Sequence, residues 1–219
     1  MFVIYSNVDS LPNKIHEISQ RIHLMNPKPH IISLTEVKHK NKWDIDSAEL
    51  IIDGNNIYDN NLDESHRGII NYVRKDLMCK QITMGISCDE CITIELQVNN
   101  NCKLYLATIY RSPNSSVEND KAILEFIDLL GSSNIGYKLL LGDFNCPNIK
   151  WDTWEASGSF ELSFLDTLRK NFLTQHVDKP TRARGTDTPQ ILDLIISEDH
   201  FIDNIIYDSP LGKTDHCVL

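Results

Sequence analysis

Positive charge is what this sequence has least of. Lys and Arg total 21 against 31 Asp and Glu, which gives a formal net charge of -10 and a pI of about 5.2. A uniformly basic coat that holds nucleic acid by neutralising phosphates is thereby excluded, so any such binding has to rest on where the few cations sit. Residues 44–64 contain no Lys or Arg, while Asp44, Asp46, Glu49, Asp53, Asp59, Asp63 and Glu64 accumulate there. That stretch reads as a solvated face that DNA would avoid, whereas Lys179, Arg182 and Arg184 form a small basic group elsewhere. Long apolar runs are missing too. None approaches the roughly 20 residues that cross a bilayer, and the opening run is too short for a signal peptide, so the expectation is a nuclear or cytoplasmic chain with no membrane contact, not a secreted one. Cysteine is sparse: of Cys79, Cys88, Cys91, Cys102, Cys146 and Cys217, only Cys88 and Cys91 are close, and no second pair completes a zinc site. The thiols are expected to be free, since a chain of 219 residues buries enough core without cross-links.

What remains is an ordinary globular composition, 41% hydrophobic and 24% charged. With no repeat, linker or low-complexity segment, residues 1–219 are expected to form one domain, monomeric in isolation. Residues 2–5 read as a strand, and Ile15, Ile18, Ile22 and Met25 recur at helical spacing before Pro27 and Pro29 stop the helix. Residues 30–34 form a second apolar run that delivers Thr35-Glu36. Three further strands are expected at 68–74, 92–98 and 104–110, the last two joined as a hairpin by Asn99-Asn100-Asn101. A helix is expected over 121–130, a buried strand at 138–142, a helix carrying Phe160, Leu162, Phe164, Leu165, Leu168 and Phe172, and strands at 191–196 and 202–207. Cys217-Val218-Leu219 reads as the opening of a strand in which the sequence stops, the pattern of a fragment or excised domain.

Four acidic residues stand at strand ends or inside strands: Glu36, Asp143, Asp193 and Asp215. An Asp after an apolar run is most often a turn residue or a cap. Asp193 is different, because Ile191, Leu192, Leu194, Ile195 and Ile196 surround it, and a carboxylate in such a run needs a partner. His216 is the obvious candidate. An Asp-His pair can hold imidazole in its charged form, suited to stabilising a phosphoryl transition state. Glu36 and Asp215 offer hard oxygen ligands for Mg²⁺, with Asn7 or Asp9 to complete the shell. Asp143 then remains to orient or deprotonate water, and Asn145 to hydrogen-bond a phosphate oxygen. Tyr110, Trp151 and Trp154 read on their own as packing aromatics.

Asn7-Val8-Asp9, Leu34-Thr35-Glu36, Tyr110, Gly142-Asp143-Phe144-Asn145, Leu192-Asp193-Leu194-Ile195 and Thr214-Asp215-His216 occur in the order found in the endonuclease/exonuclease/phosphatase superfamily, which the whole chain resembles. The stretch from Cys146 to Trp151, together with Lys179-Pro180-Thr181-Arg182, Ser209-Pro210-Leu211-Gly212 and His66-Arg67-Gly68-Ile69, is more similar to the apurinic-like endonuclease domain of non-LTR retrotransposons. The resemblance implies an α/β four-layer sandwich with two packed mixed sheets flanked by helices. It also implies a metal-dependent endonuclease using Mg²⁺, with Mn²⁺ as an alternative, that cuts duplex DNA to leave 3′-hydroxyl and 5′-phosphate ends, with a reverse-transcriptase domain as partner in a longer parent protein. By the same resemblance Glu36 binds metal beside Asn7, Asp9 and Asp215, and Asp143 aligns the water. Asn145 and Tyr110 contact the scissile phosphate, Asp193 orients His216, and Thr181, Arg182 and Arg184 contribute to substrate binding. Alternatives are a small-molecule or lipid-headgroup phosphoesterase on the same fold, or a catalytically silent DNA- or protein-binding domain. Thr214 stands where Ser is commoner, which keeps a hydroxyl.

Overall fold

The computed structural model describes every residue except 41–46, 61–65, 100, 135 and 199–200. Asp44, Asp46, Asp63, Glu64 and the turn residue Asn100 therefore lie outside the described residues. The first part of the chain runs β1 (Val3–Asn7), α1 (Ile15–Leu24), β2 (Ile31–Thr35), a 3-10 turn (Ser47–Leu50), β3 (Asn55–Asp59) and β4 (Ile69–Arg74). The second runs β5 (Cys79–Ile82), β6 (Cys91–Asn99), β7 (Cys102–Tyr110), α2 (Val117–Ser132) and β8 (Tyr137–Asp143). After it come β9 (Ile149–Lys150), β10 (Glu155–Ala156), α3 (Ser159–Lys170), β11 (Thr174–Gln175) and β12 (Asp193–Ser197).

Two mixed sheets result, one ordered β1-β2-β4-β3 and one β11-β12-β8-β7-β6-β5, with β9 and β10 as a separate ribbon. Strands β1 and β2 are parallel, as are β7 and β8, and the other pairs are antiparallel. Helix α1 buries Ile15 and Ile18 against Ile4, Ile32 and Tyr72 on the outer face of the first sheet. Helices α2 and α3 bury Phe126, Ile127, Phe164 and Leu168 against Ala107, Leu140 and Leu194 on the outer face of the second. Tyr5, Ile31, Val73, Leu106 and Leu141 fill the space between the sheets. The architecture is the four-layer α/β sandwich of the endonuclease/exonuclease/phosphatase fold.

The period of two along each strand positions the site. On the face between the sheets, β1 presents Tyr5 and then Asn7, β2 presents Ile31, Ser33 and Thr35, β7 ends on Thr108 and Tyr110, and β8 on Leu141 and Asp143. The inter-sheet layer thus changes from apolar to polar at one end of both sheets. Register puts Asn7 opposite Thr35, Tyr110 opposite Asp143, and Asp143 opposite Asp193.

Three expectations are corrected. Residues 202–207 form no strand; Ile202, Ile205 and Tyr207 pack in irregular conformation at the edge of the inter-sheet core. Phe172 lies beyond the end of α3 with φ +54 and is exposed, because the chain leaves the helix at Asn171 to enter β11. Cys88 and Cys91 are joined as a disulfide: the chain turns on the bond from Cys91 N–H to the Cys88 carbonyl at the start of β6, bringing the two Cα atoms to 5.4 Å. At the far end, Leu219 exchanges both backbone hydrogen bonds with Tyr5, at 2.8 and 2.9 Å, so the strand-like tail does lie beside β1.

Candidate active site

The polar end of the sandwich is built from strand termini. Beyond β1 and β2 the two chains stay side by side: Val8, Ser10 and Leu11 donate to the carbonyls of Thr35, Glu36 and Val37. These bonds hold the backbone at Asp9 and Glu36 in left-handed conformations, φ +37 and +53, which ordinary residues adopt only where their surroundings enforce it. Asn145 after β8 shows the same, at φ +46. Its loop is tied down by Arg111, whose backbone N–H donates to the Asp143 carbonyl and whose Nη1 donates to the Asn145 carbonyl at 3.0 Å. The Asn145 amide returns a bond to the Arg111 carbonyl at 2.7 Å, leaving its side-chain oxygen as the group not consumed by that tie.

Two poles emerge. At the buried pole, His216 Nδ1 lies 2.7 Å from Asp193 Oδ2, and Tyr5 donates its hydroxyl proton to Asp193 Oδ1 at 3.0 Å. Asn7 Nδ2 donates to Asp143 Oδ2 at 2.8 Å. His216 Nε2 stands 3.9 Å from Asp143 and 3.8 Å from Asp215, beyond hydrogen-bond length of either. Its burial alone would disfavour the imidazolium, but the paired Asp193, then Asp143 and Asp215, outweigh that and raise its pKa to about 9. Burial, followed by repulsion from Asp193, pushes Asp143 up to about 8, although His216 and the Asn7 amide oppose it. The imidazolium is therefore the buried cation that makes two adjacent buried carboxylates tolerable. Among the described residues, Asp143, Asp193 and His216 also form a group close enough to share a metal ion, yet a protonated histidine is not a ligand.

The second pole is more open. Glu36 Oε2 and Asp9 Oδ1 are both held by Arg67 Nη2, at 2.5 and 2.6 Å. Burial would raise the Asp9 carboxyl, and the bond to Arg67 together with the charges of Arg67, Lys14 and His39 more than reverses it. Burial and then the Glu36 charge hold the Tyr110 hydroxyl firmly protonated. Asp215, partly exposed, accepts from Arg182 Nε at 2.9 Å. Glu36 and Asp9 offer hard oxygens that converge on Arg67, which shows that positive charge is accommodated there. Asp215 stands nearer His216, and as they lie the three carboxylates are not among the described groups close enough to share one ion. Thr181 is buried, and its hydroxyl accepts the backbone N–H groups of Leu192 and Asp193, fixing the start of β12. Arg184 is exposed and joins Arg182, Asp187, Thr188 and Gln190 around a hollow of about 280 Å³.

The family model described as "Endonuclease-reverse transcriptase" matches residues 104–219, more than half of the chain and the part that carries Tyr110, Asp143, Asn145, Asp193 and His216. The chain belongs to the endonuclease–reverse transcriptase family. No curated protein matches the sequence. Among solved structures, the endonuclease domain of TRAS1, a telomere-specific non-LTR retrotransposon, superposes with a TM-score of 0.69 at 16% identity, over 99% of this chain and 94% of that one. The 3′-5′ exonuclease NExo from Neisseria meningitidis gives 0.66 at 17% identity, over 100% and 97%. A mannosyl-6-phosphatase from Bacteroides thetaiotaomicron gives 0.61 at 12%, over 99% and 96%. At these identities the likeness establishes the fold, shared by nucleases and phosphatases, while membership of the endonuclease–reverse transcriptase family rests on the sequence match.

Sequence reasoning missed Tyr5, Arg67 and Arg111 as parts of the site. Tyr5 sits in an apolar run, and its hydroxyl contact to Asp193 spans 188 positions. The His216 pairing has a direct test. In the metal-free protein, the His216 ring is expected to titrate near pH 9, and Asp193→Asn should bring it down towards the ordinary histidine value, about 6.5. A folded pKa above the unfolded one stabilises the fold fully below about pH 6.5 and loses that contribution as pH rises through about 9. Ring-proton NMR across that range reads the pKa, and an unshifted pKa in wild type would show the pair misassigned.

Proposed function

We propose that this chain is a divalent-metal-dependent endonuclease that hydrolyses phosphodiester bonds of duplex DNA. The observation that carries the reading is the buried His216–Asp193 contact of 2.7 Å, with Asp143 3.9 Å from the other ring nitrogen and Glu36 within electrostatic reach of Asp143. His216 Nε2 is left to donate a proton to a phosphate oxygen, where a fixed positive charge stabilises the charge that develops in the transition state. Asp143, its carboxyl aimed by Asn7, takes a proton from water once ionised, and with a pKa of about 8 in the metal-free protein that ionised fraction grows as pH rises through about 8. Tyr110, kept protonated, and the Asn145 side chain orient the phosphate. Glu36, Asp9 and Asp215 would hold Mg²⁺ or Mn²⁺, which supplies Lewis acidity and neutralises phosphate charge. Arg182 and Arg184 would bind the flanking backbone, which explains how a chain of net charge -10 can engage DNA: its cations are local.

The products are a 3′-hydroxyl and a 5′-phosphate, and the 3′-hydroxyl is the end a reverse transcriptase extends. The description of the matched family supports such a partner domain in a longer parent protein. Incubation with supercoiled plasmid and Mg²⁺ should yield nicked circles that ligase reseals, and chelation should lower the rate at least about 10²-fold, the scale of losing metal Lewis acidity. Inositol phosphates and other soluble phosphate esters, assayed in parallel, should release little phosphate. Phosphate release without nicking would assign the chain to small-molecule phosphoesterases instead.

A further inference from the structure

Arg67 differs from the two arginines that each grip one carboxylate with two nitrogens. Arg74 grips Asp76 through Nε and Nη2, and Arg111 grips Asp120 through the same pair of nitrogens, the two-pronged match that guanidinium and carboxylate favour. Arg67 instead places one nitrogen, Nη2, between two carboxylates on different loops, Asp9 Oδ1 at 2.6 Å and Glu36 Oε2 at 2.5 Å. Its Nε is buried and meets no acceptor. The side chain is thus held by charge, with a poor hydrogen-bond fit and a buried donor unmatched. Its backbone, by contrast, is fixed: the Arg67 carbonyl accepts from Lys38 N–H and the neighbouring Gly68 carbonyl from Val37 N–H. The guanidinium can leave without disturbing the strand that follows.

We propose that Arg67 is a resident counter-cation which holds Asp9 and Glu36 together in the metal-free protein and which a divalent ion displaces on binding. The inference rests on the reading of Glu36 as a metal ligand. Nη2 occupies the point on which Asp9 Oδ1 and Glu36 Oε2 converge, so an ion bridging the same two oxygens at about 2.1 Å would sit against the guanidinium, and the two positive centres would repel in a half-buried site. The ion's apparent affinity is therefore reduced by the population of the arginine-bound state. Once released, the guanidinium stands beside the metal pole with its donors free for a phosphate oxygen.

The test measures binding, apart from turnover. Mn²⁺ titrated into the metal-free protein by calorimetry should bind Arg67→Met at least about 10-fold more tightly than wild type. Arg74→Ala, which removes the same charge from an exposed pair, should change the constant by less than about 2-fold. Without metal, Arg67→Met should melt below wild type, because Asp9 and Glu36 then repel without a cation. Excess Mn²⁺ should close that gap. In the wild-type protein, the Arg67 guanidinium resonances should shift as Mg²⁺ is added, a readout that needs no variant to fold. Equal or weaker Mn²⁺ binding by Arg67→Met, or unchanged guanidinium resonances in a protein that demonstrably binds Mg²⁺, would overturn the proposal. Failure of both proteins to bind Mn²⁺ would overturn the metal reading and this inference with it.

Discussion

His216→Ala is expected to lower the rate of plasmid nicking at least about 10²-fold at saturating metal, with Asp143→Ala as damaging and the double variant little worse than either. His216 is a charged hydrogen-bond donor fixed by a 2.7 Å contact and raised to a pKa of about 9, so at neutral pH it is already in the state the transition state needs. Alanine removes both the charge and the donor. Asp143 belongs to the same constellation through the 3.9 Å approach of the ring and the Asn7 amide that aims it, which is why the two losses should not multiply. Substrate KM should move far less than kcat, since neither residue lies among the arginines proposed to hold the flanking DNA. Circular dichroism and melting curves separate lost chemistry from a lost fold: in His216→Ala, Asp193 keeps its bond from the Tyr5 hydroxyl but loses its buried cation, so a lower melting point is expected and activity is compared at a temperature where the variant remains folded. Full activity in either folded variant would mean that the site lies elsewhere.

Gly142→Ala is expected to be among the most destabilising single-methyl substitutions in the chain. Gly142 has φ +155 one residue before the end of the parallel β7–β8 pair, and a Cβ there would lie 1.8 Å from the carbonyl oxygen of Ile109 and 2.8 Å from its carbon. These are backbone atoms of a buried strand, with no flexible end to move aside. Relief requires prying β7 from β8, which also displaces Tyr110 and Asp143 from register. A cost of about 3 kcal/mol or more follows, at the upper end of overpacking penalties, and a fall in Tm of roughly 6–12 °C for a chain of this size. Gly54→Ala is the control. Its φ is +80, but a Cβ there meets nothing within 4 Å, so only the backbone strain of about 1 kcal/mol remains. Similar melting points for the two variants would show that close approach at Gly142 is not what demands glycine.

That contrast marks where the sequence was legible. Asp193 stood out because a carboxylate amid Ile and Leu needs a partner, and the structure supplies two, His216 and Tyr5. The strands that build the site were readable because each is a long apolar run with a change of residue type at its end: Asn7 closes β1, Thr35 β2, Tyr110 β7 and Asp143 β8. Strands β3 and β5 were not, since both are half-buried along their length and show neither alternation nor a continuous apolar run. Strands β9, β10 and β11 are two residues long, too short for any periodicity. Thr181 was assigned on resemblance to the active-site network or a substrate contact; that its hydroxyl accepts two backbone N–H groups at the start of β12 is a role that only tertiary geometry reveals. Arg67 was invisible for a related reason. An arginine before a glycine reads as an exposed charge, and only the closing of Asp9 and Glu36 over it makes it part of the site.

The pairing of Leu219 with Tyr5 has a temporal consequence. Thr214 reaches Asn7 across 207 positions of sequence and Tyr5 reaches Asp193 across 188, so β1 is synthesised long before the residues that complete its pole. At a synthesis rate of about 5–20 residues per second, the first strand waits on the order of 10–40 s for His216 to leave the ribosome. Until then Glu36, and Asp143 once it too has been made, have no imidazole beside them. A nascent chain of this design therefore cannot assemble the proposed site until translation has carried His216 back to β1.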